Sequence, residues 1–198
     1  MTALTSEIAD KLVAEQGTDI VIPEGITSIE TAAFYEKDLT SLVIPDGVIS
    51  IGYNAFYGNK LTNADIPDGV ISIGGQAFSN NQLTSIEIPD SVTSIGHGAF
   101  QATRLTNVKI PDGVKSIGVG AFANVPLTSV DLGNGVTSID RMAFMNTYSL
   151  ESIYIPDSVK SIASDAFVRS GLTNVSISED ATFSHLFPDS VEIIRRSS

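Results

Sequence analysis

The chain has 198 residues, 42% of them hydrophobic, with 11 basic against 23 acidic side chains and a net charge of −12. That length and apolar content suit one globular domain or one short solenoid, while the acidic balance excludes the basic stripe of a nucleic-acid binder and disfavours adhesion to an anionic membrane. With no cysteine there is no disulfide framework, thiol nucleophile or cysteine-held metal, and no run approaches the roughly 18 apolar residues of a membrane span.

The opening MTALTSEIADKLVAEQG lacks the basic and apolar regions of a secretory leader. The sequence therefore reads as an intracellular protein or as a piece of a longer secreted chain. Ile8, Leu12 and Val13 share a face at helical spacing, Thr5 or Ser6 suits the N-cap, and Gly17 is a natural stop. Residues 1–16 are expected to form one amphipathic helix that closes the open end of an array.

From residue 17 the chain repeats. Proline recurs at Pro23, Pro45, Pro67, Pro89 and Pro111, 22 residues apart, with Gly133 in the next slot and Pro156 after it. Phe34, Phe56, Phe78, Phe100, Phe122, Phe144 and Phe167 keep the same spacings, each preceded by alanine. A fixed period of this size marks a solenoid whose coils cannot bury their apolar faces singly. Residues 17–178 read as seven coils plus an eighth opening strand at Leu172.

Leu39 to Lys60 illustrates one coil. Leu42 and Ile44 alternate inward on a short strand while Val43 faces out. Ile44-Pro45-Asp46-Gly47 is expected to be a type I turn with proline second, because serine replaces the glycine at Ser91 and Ser158. Val48 to Ile51 gives a second short strand closed by Gly52, and Ala55-Phe56 is expected on a helical or 3-10 turn. Since Leu83–Ile86 and Val92–Ile95 are nearly one tetrapeptide, each coil should feed two parallel ladders. The phenylalanines should stack as a spine. After residue 178 the pattern lapses, and residues 179–198 read as a C-terminal cap. There Phe187–Val191 reuses the turn, Ile193-Ile194 the second strand, and Arg195-Arg196-Ser197-Ser198 forms an exposed tail.

No catalytic set can be assembled. His97 lies in a variable slot, which reads as a solvated loop, and His185 lies in the cap; neither is matched with a nucleophile and an orienting group. Ser28, Ser50, Ser72, Ser94, Ser116, Ser138 and Ser161 share a slot, which points to a structural role, a hydroxyl bonding backbone near a turn. Glu24, Asp46, Asp68, Asp90, Asp112 and Asp157 form an acidic column. It admits a Ca²⁺-binding reading, or each aspartate caps its own turn as Asx residues do. The outward positions of the first strand differ most between copies: Val43, Asp65, Glu87, Lys109, Asp131 and Tyr154. They are the candidate binding residues, with Tyr154 foremost because tyrosine is enriched at interfaces.

The pattern LxxIxIPDxVxSIGxxAFxxN resembles the leucine-rich repeats of the Treponema pallidum type, found in BspA-like bacterial and protozoal surface proteins, over residues 17–178. The slot three after each Phe, where such repeats often carry cysteine, holds Lys37, Asn59, Asn81, Thr103, Val125, Thr147 and Ser170. The resemblance implies an α/β or mostly β, right-handed leucine-rich-repeat coil of 22-residue repeats with short parallel strands and an N-terminal capping helix. It further implies a non-enzymatic module, extracellular or at the cell surface, that binds a protein or glycan without a cofactor. The alternative is a spacer or assembly domain that makes contact with itself.

Overall fold

The computed structural model describes residues 2–196. It is a parallel β-solenoid in which each coil stacks on the last. The second strands form one eight-stranded ladder, from Thr2–Leu4 and Ile26–Ile29 through two-residue strands at Ser50, Ser72, Ser94, Ser116 and Ser138 to Ser161–Ile162. Register repeats from coil to coil, Ser50 facing Ser72 and Ile51 facing Ile73. The isoleucines turn into the core. The serines are half-buried or exposed, and none of their hydroxyls makes a hydrogen bond among the described residues. The backbone bonding expected of that column is therefore not what the serines provide.

The first strands pair in shorter groups: Asp19–Val21 with Ser41–Val43, Asn107–Lys109 with Ser129–Asp131, and Ser152–Tyr154 with Asn174–Ser178 and Glu192–Arg196. Coils three and four contribute only single bridges, Val43 to Asp65 and Asp65 to Glu87. A threonine row stitches neighbours at the start of this side: the Thr128 N–H and hydroxyl donate to the Thr106 carbonyl at 2.7 and 2.9 Å.

Between the ladders lies the core. Phe34 to Phe167 form one stack with ring centroids 5.3–5.7 Å apart, and Phe34 through Phe144 are fully buried. Burying one such ring is worth about 1.5–3 kcal/mol, so the column is a main source of cohesion. Around Ala55-Phe56 a single turn closes, Tyr57 N–H donating to the Asn54 carbonyl at 3.1 Å, but it does not continue as a helix. Asn54 and Gly58 take left-handed φ angles of 55° and 68°, matched at Gln76 and Asn80. Asparagine and glycine tolerate that region. The alternation turns the N–H groups of Asn54, Phe56 and Gly58 onto the Gly75, Ala77 and Ser79 carbonyls at 2.8–3.0 Å. A helix would keep those bonds within the coil; here they join coils as a third ladder.

The proline turn sits one residue later than expected. Val48 donates to Pro45 O at 3.1 Å and Val70 to Pro67 O at 3.0 Å, so proline is first in the turn. Gly47, Gly69, Gly113 and Gly135 all lack positive φ, which is why serine serves at Ser91 and Ser158. Gly52, Gly74, Gly96 and Gly118, which follow four of the second strands, answer a close approach instead: a Cβ on Gly96 would lie 2.4 Å from the Gly75 nitrogen. Glu30, Asp140 and Ala163 fill the slot in the other coils.

Both ends depart from the expected caps. The helix runs over Ser6–Gln16 with Thr5 as N-cap, its side chain accepting from Ile8 N–H, and Gly17 closing it by donating to Val13 O at 2.9 Å. Ala9 and Leu12 are buried against the first coil. Ahead of it, Thr2–Leu4 adds a strand to the second-strand ladder, too short to read in sequence. At the other end Val191 N–H meets Pro188 O at 2.9 Å, so the turn recurs. The strand after it, Glu192–Arg196, joins the first-strand side rather than the second, with Glu192 opposite Asn174. That partner is 18 residues away rather than 22, too short a winding to reach the other ladder. Arg195 and Arg196 thus belong to a strand and not to a tail; Ser197 and Ser198 lie outside the described residues.

Candidate binding face

All six candidate residues lie on the outward side of the first strands, and all six are exposed. Alternation along the strand is the reason: Leu42 and Val108 are buried while their neighbours Val43 and Lys109 project outward.

The structure gathers three of them. Asp65, Glu87 and Lys109 line a hollow of about 1020 Å³, with Asn63, Ser85 and Asn107 beside them and Asp68 and Asp90 of the turn column at the rim. It opens where the ladder thins to single bridges; between Glu87 and Lys109 no pairing is formed among the described residues. Ile86, inward by pattern, is only partly buried there. Four carboxylates face one ammonium, so the hollow carries a net negative charge. Such a surface raises the local concentration of cationic ligands.

The other three stand apart from it. Val43 lies toward the N-terminal end at 50% exposure. Asp131 is the ladder partner of Lys109, placing opposite charges side by side. Tyr154 is covered on one face: the Arg196 guanidinium lies 3.9 Å from its ring centroid and donates to its hydroxyl at 2.6 Å. Arg196 also donates to the Ile155 carbonyl at 2.8 Å and to Asp157 Oδ1 at 3.2 Å. Tyr154 and Arg196 form one cationic plate, a pairing hidden in sequence by the 42 residues that separate them.

The acidic column does not cap its own turns. Asp112 Oδ1 accepts from the Asn134 N–H of the next coil at 2.8 Å, and Asp46, Asp68 and Asp90 are exposed without hydrogen bonds among the described residues. Within that range no three histidine, aspartate or glutamate side chains gather closely enough to hold a metal ion. His97 is exposed in a turn, as its variable slot suggests. Its ring lies over Gly75, 2.6 Å from where a Cβ would stand, and 5.5 Å from the Tyr53 ring. His185 Nδ1 is 2.9 Å from the Thr182 carbonyl.

A further aromatic feature escaped the sequence reading. Tyr35 and Tyr57 stack at 5.0 Å, one period apart. Desolvation, then the neighbouring Glu36 carboxylate, push the Tyr35 phenol above its ordinary pKa.

The family model described as a BspA type leucine rich repeat region matches residues 14–124 and 71–194, with six copies. Among solved structures the chain is similar to a leucine rich cell surface protein from Faecalibacterium prausnitzii, with 28% identity and a TM-score of 0.53, covering 96% of this chain and 62% of that one. It is also similar to a leucine-rich repeat protein from Eubacterium ventriosum, with 21% identity, a TM-score of 0.48 and coverage of 91% and 66%. The T. pallidum leucine rich repeat protein follows with 20% identity, a TM-score of 0.42 and coverage of 92% and 71%. The chain thus spans less than two thirds of the length of the first two. No curated protein matches it. With the family pattern running through the stacked coils from end to end, the chain belongs to the BspA type leucine rich repeat family.

Proposed function

We propose that the chain is a non-enzymatic binding module that takes a basic polypeptide segment against its first-strand face, centred on the hollow at Asp65, Glu87 and Lys109. The observation that carries this reading is the convergence of Asp65, Asp68, Glu87 and Asp90 around a concavity where the ladder lapses. A net charge of −12 favours the same class of partner. Concave faces are the usual binding surfaces of solenoids. The similarity to a cell surface protein from F. prausnitzii supports a cell-surface setting.

Titration with an octalysine peptide, with octaglutamate as control, tests it. Octalysine is expected to bind, and to bind more weakly as salt rises from 0.05 to 0.5 M because exposed charges are then screened. Asp65→Asn combined with Glu87→Gln and Asp90→Asn should weaken binding at least tenfold. Lys109→Glu should strengthen it, and Tyr154→Ala should leave it within twofold. Undiminished binding by the triple variant would remove the hollow from the reading.

A further inference from the structure

The third ladder has a direction, and the direction leaves the two ends of the array unlike. In coil six, Phe144 N–H donates to the Ala166 carbonyl at 2.8 Å and Asn146 N–H to the Val168 carbonyl at 3.0 Å. No described peptide bond is cis, so the carbonyl and N–H of one peptide unit point opposite ways. Since the Ala166 and Val168 carbonyls point back to coil six, the N–H groups of Phe167 and Arg169 point forward, away from the stack. Neither finds an acceptor among the described residues.

The second-strand side complements this. Lys160 and Ala163 donate back to the Thr137 and Ile139 carbonyls at 2.8 and 2.9 Å. Ser161–Ile162 is the terminal strand of its ladder, which leaves the Lys160 and Ile162 carbonyls facing forward without a described donor. Two acceptors and two donors thus stand in sequence along one open edge. They are unpaired because the next winding, from Asn174 to Glu192, is 18 residues and cuts across the other side. It brings Phe187 over Phe167 at 5.7 Å and a 40° tilt and leaves the Ile162 side chain only 8% exposed. Among the described residues, however, it gives no hydrogen-bond partner to the Ile162 carbonyl or to the Phe167 and Arg169 N–H groups. What remains is a pocket of about 410 Å³ between Ile162, Phe167 and Leu172 on the coil and Leu186, Phe187 and Val191 on the cap.

The geometry points to this open backbone edge, with the pocket beside it, as a docking site for a short peptide supplied in trans, one that carries the chain's own second-strand pattern Ser-Ile-Gly-x-x-Ala. The coil-to-coil interface that precedes it is the template. The peptide donates to the Lys160 and Ile162 carbonyls, as Lys160 and Ala163 donate to coil six, and accepts from Phe167 and Arg169 through two carbonyls two residues apart. Its glycine answers the close approach seen at Gly96, where a Cβ would meet backbone at 2.4 Å. Phe187 already occupies the ring position, so the peptide needs a small residue there. Strand addition to an open edge draws its affinity from main-chain bonds and its selectivity from the pockets beside them.

The probe is a fluorescent decapeptide with the sequence of residues 92–101 and Phe100→Ala, with its scrambled sequence as control, titrated against the full chain. Saturable binding of the probe alone is expected, with hydrogen exchange at the Phe167 and Arg169 amides slowed at least tenfold in the complex. Ser190→Trp, which fills the pocket from the cap, should weaken binding at least tenfold. Arg169→Gly keeps the N–H and the left-handed φ of 57°, and should leave binding within twofold. Equal binding of the scrambled peptide, no protection of the two amides, or loss of binding in Arg169→Gly would overturn the proposal. Concentration-dependent protection of those amides without peptide would also overturn it, assigning the edge to a second copy of the chain.

Discussion

Asn81 offers a direct test of how the coils are held together away from the phenylalanine column. Its side chain is 4% exposed. Nδ2 donates to the Phe56 and Phe78 carbonyls at 2.8 and 3.1 Å, and Oδ1 accepts from the Leu61 N–H at 3.1 Å. Valine fits this slot sterically, since Val125 occupies it two coils on at 1% exposure. Asn81→Val would therefore change hydrogen bonding with little change in packing. The Phe56 carbonyl keeps a bond from Asn59 Nδ2 at 2.9 Å, so two groups are orphaned: the Leu61 N–H and the Phe78 carbonyl. At about 1–3 kcal/mol for each buried unsatisfied group, offset in part by the gain in apolar burial, the loss should be about 2–4 kcal/mol. Asn81→Thr should cost about half as much, because Thr103 shows that threonine here donates to the Phe carbonyl of its own coil, at 2.8 Å. Urea midpoints measure the global effect, and hydrogen exchange at the Leu61 amide measures the local one. A midpoint shift worth less than about 0.5 kcal/mol, the range of an ordinary surface substitution, together with unchanged exchange at Leu61, would refute the reasoning.

Phe100→Ala and Phe34→Ala should each cost about 3–5 kcal/mol, since both rings are fully buried. Phe100 should lose about 0.5–1.5 kcal/mol more, because it has rings on both sides where Phe34 has one; equal denaturation midpoints would count against the stacked column. Gly135→Ser should destabilise by about 1–3 kcal/mol, because its Cβ would meet the Asp112 carbonyl oxygen. Gly47→Ser, with 3.3 Å to the Ile26 carbonyl, should be nearly neutral, and thermal melts of the two variants compare them. Ultraviolet titration should show Tyr35 ionising above the ordinary tyrosine range. A raised folded pKa means its contribution is whole below the unfolded value and lost as pH rises through the folded one; Tyr57→Ala should bring the titration back down.

The repeat was legible because its period lives in residue types that answer a packing need: phenylalanine for the column, alternating aliphatics for the strands, glycine for the close approach. What the residues could not show was where equivalent backbone bonds go. Ala55-Phe56 looks like a helical turn, and only the left-handed Asn54 and Gly58 reveal bonds between coils. Either residue is equally at home at a helix end. The asparagine slot at Asn59 and Asn81 was visible as a position but not as a bridge, because its partners are 20 and 25 residues away. On the candidate face, alternation alone was enough to turn all six residues outward, and all six are exposed. The hollow that unites Asp65, Glu87 and Lys109 depends on a lapse in pairing, and the masking of Tyr154 depends on a strand that changed sides. Neither leaves a local mark.

The unlike ends follow from the same bookkeeping of backbone groups. In a helix the unpaired donors and acceptors are satisfied by capping side chains within a few residues. A solenoid presents a whole coil's unpaired edge, and only a segment of comparable extent can cover it. At the N-terminal end the strand Thr2–Leu4 takes the ladder edge while the helix packs Ala9 and Leu12 against the first coil, leaving Phe34 at 0% exposure. At the other end the short winding closes the first-strand side through Glu192–Arg196, and Phe167 stays only partly buried. A buried edge left unpaired is costly, and an open one is a template. The stability of the last coil and any recognition at its edge are therefore set by the same four backbone groups, at Lys160, Ile162, Phe167 and Arg169.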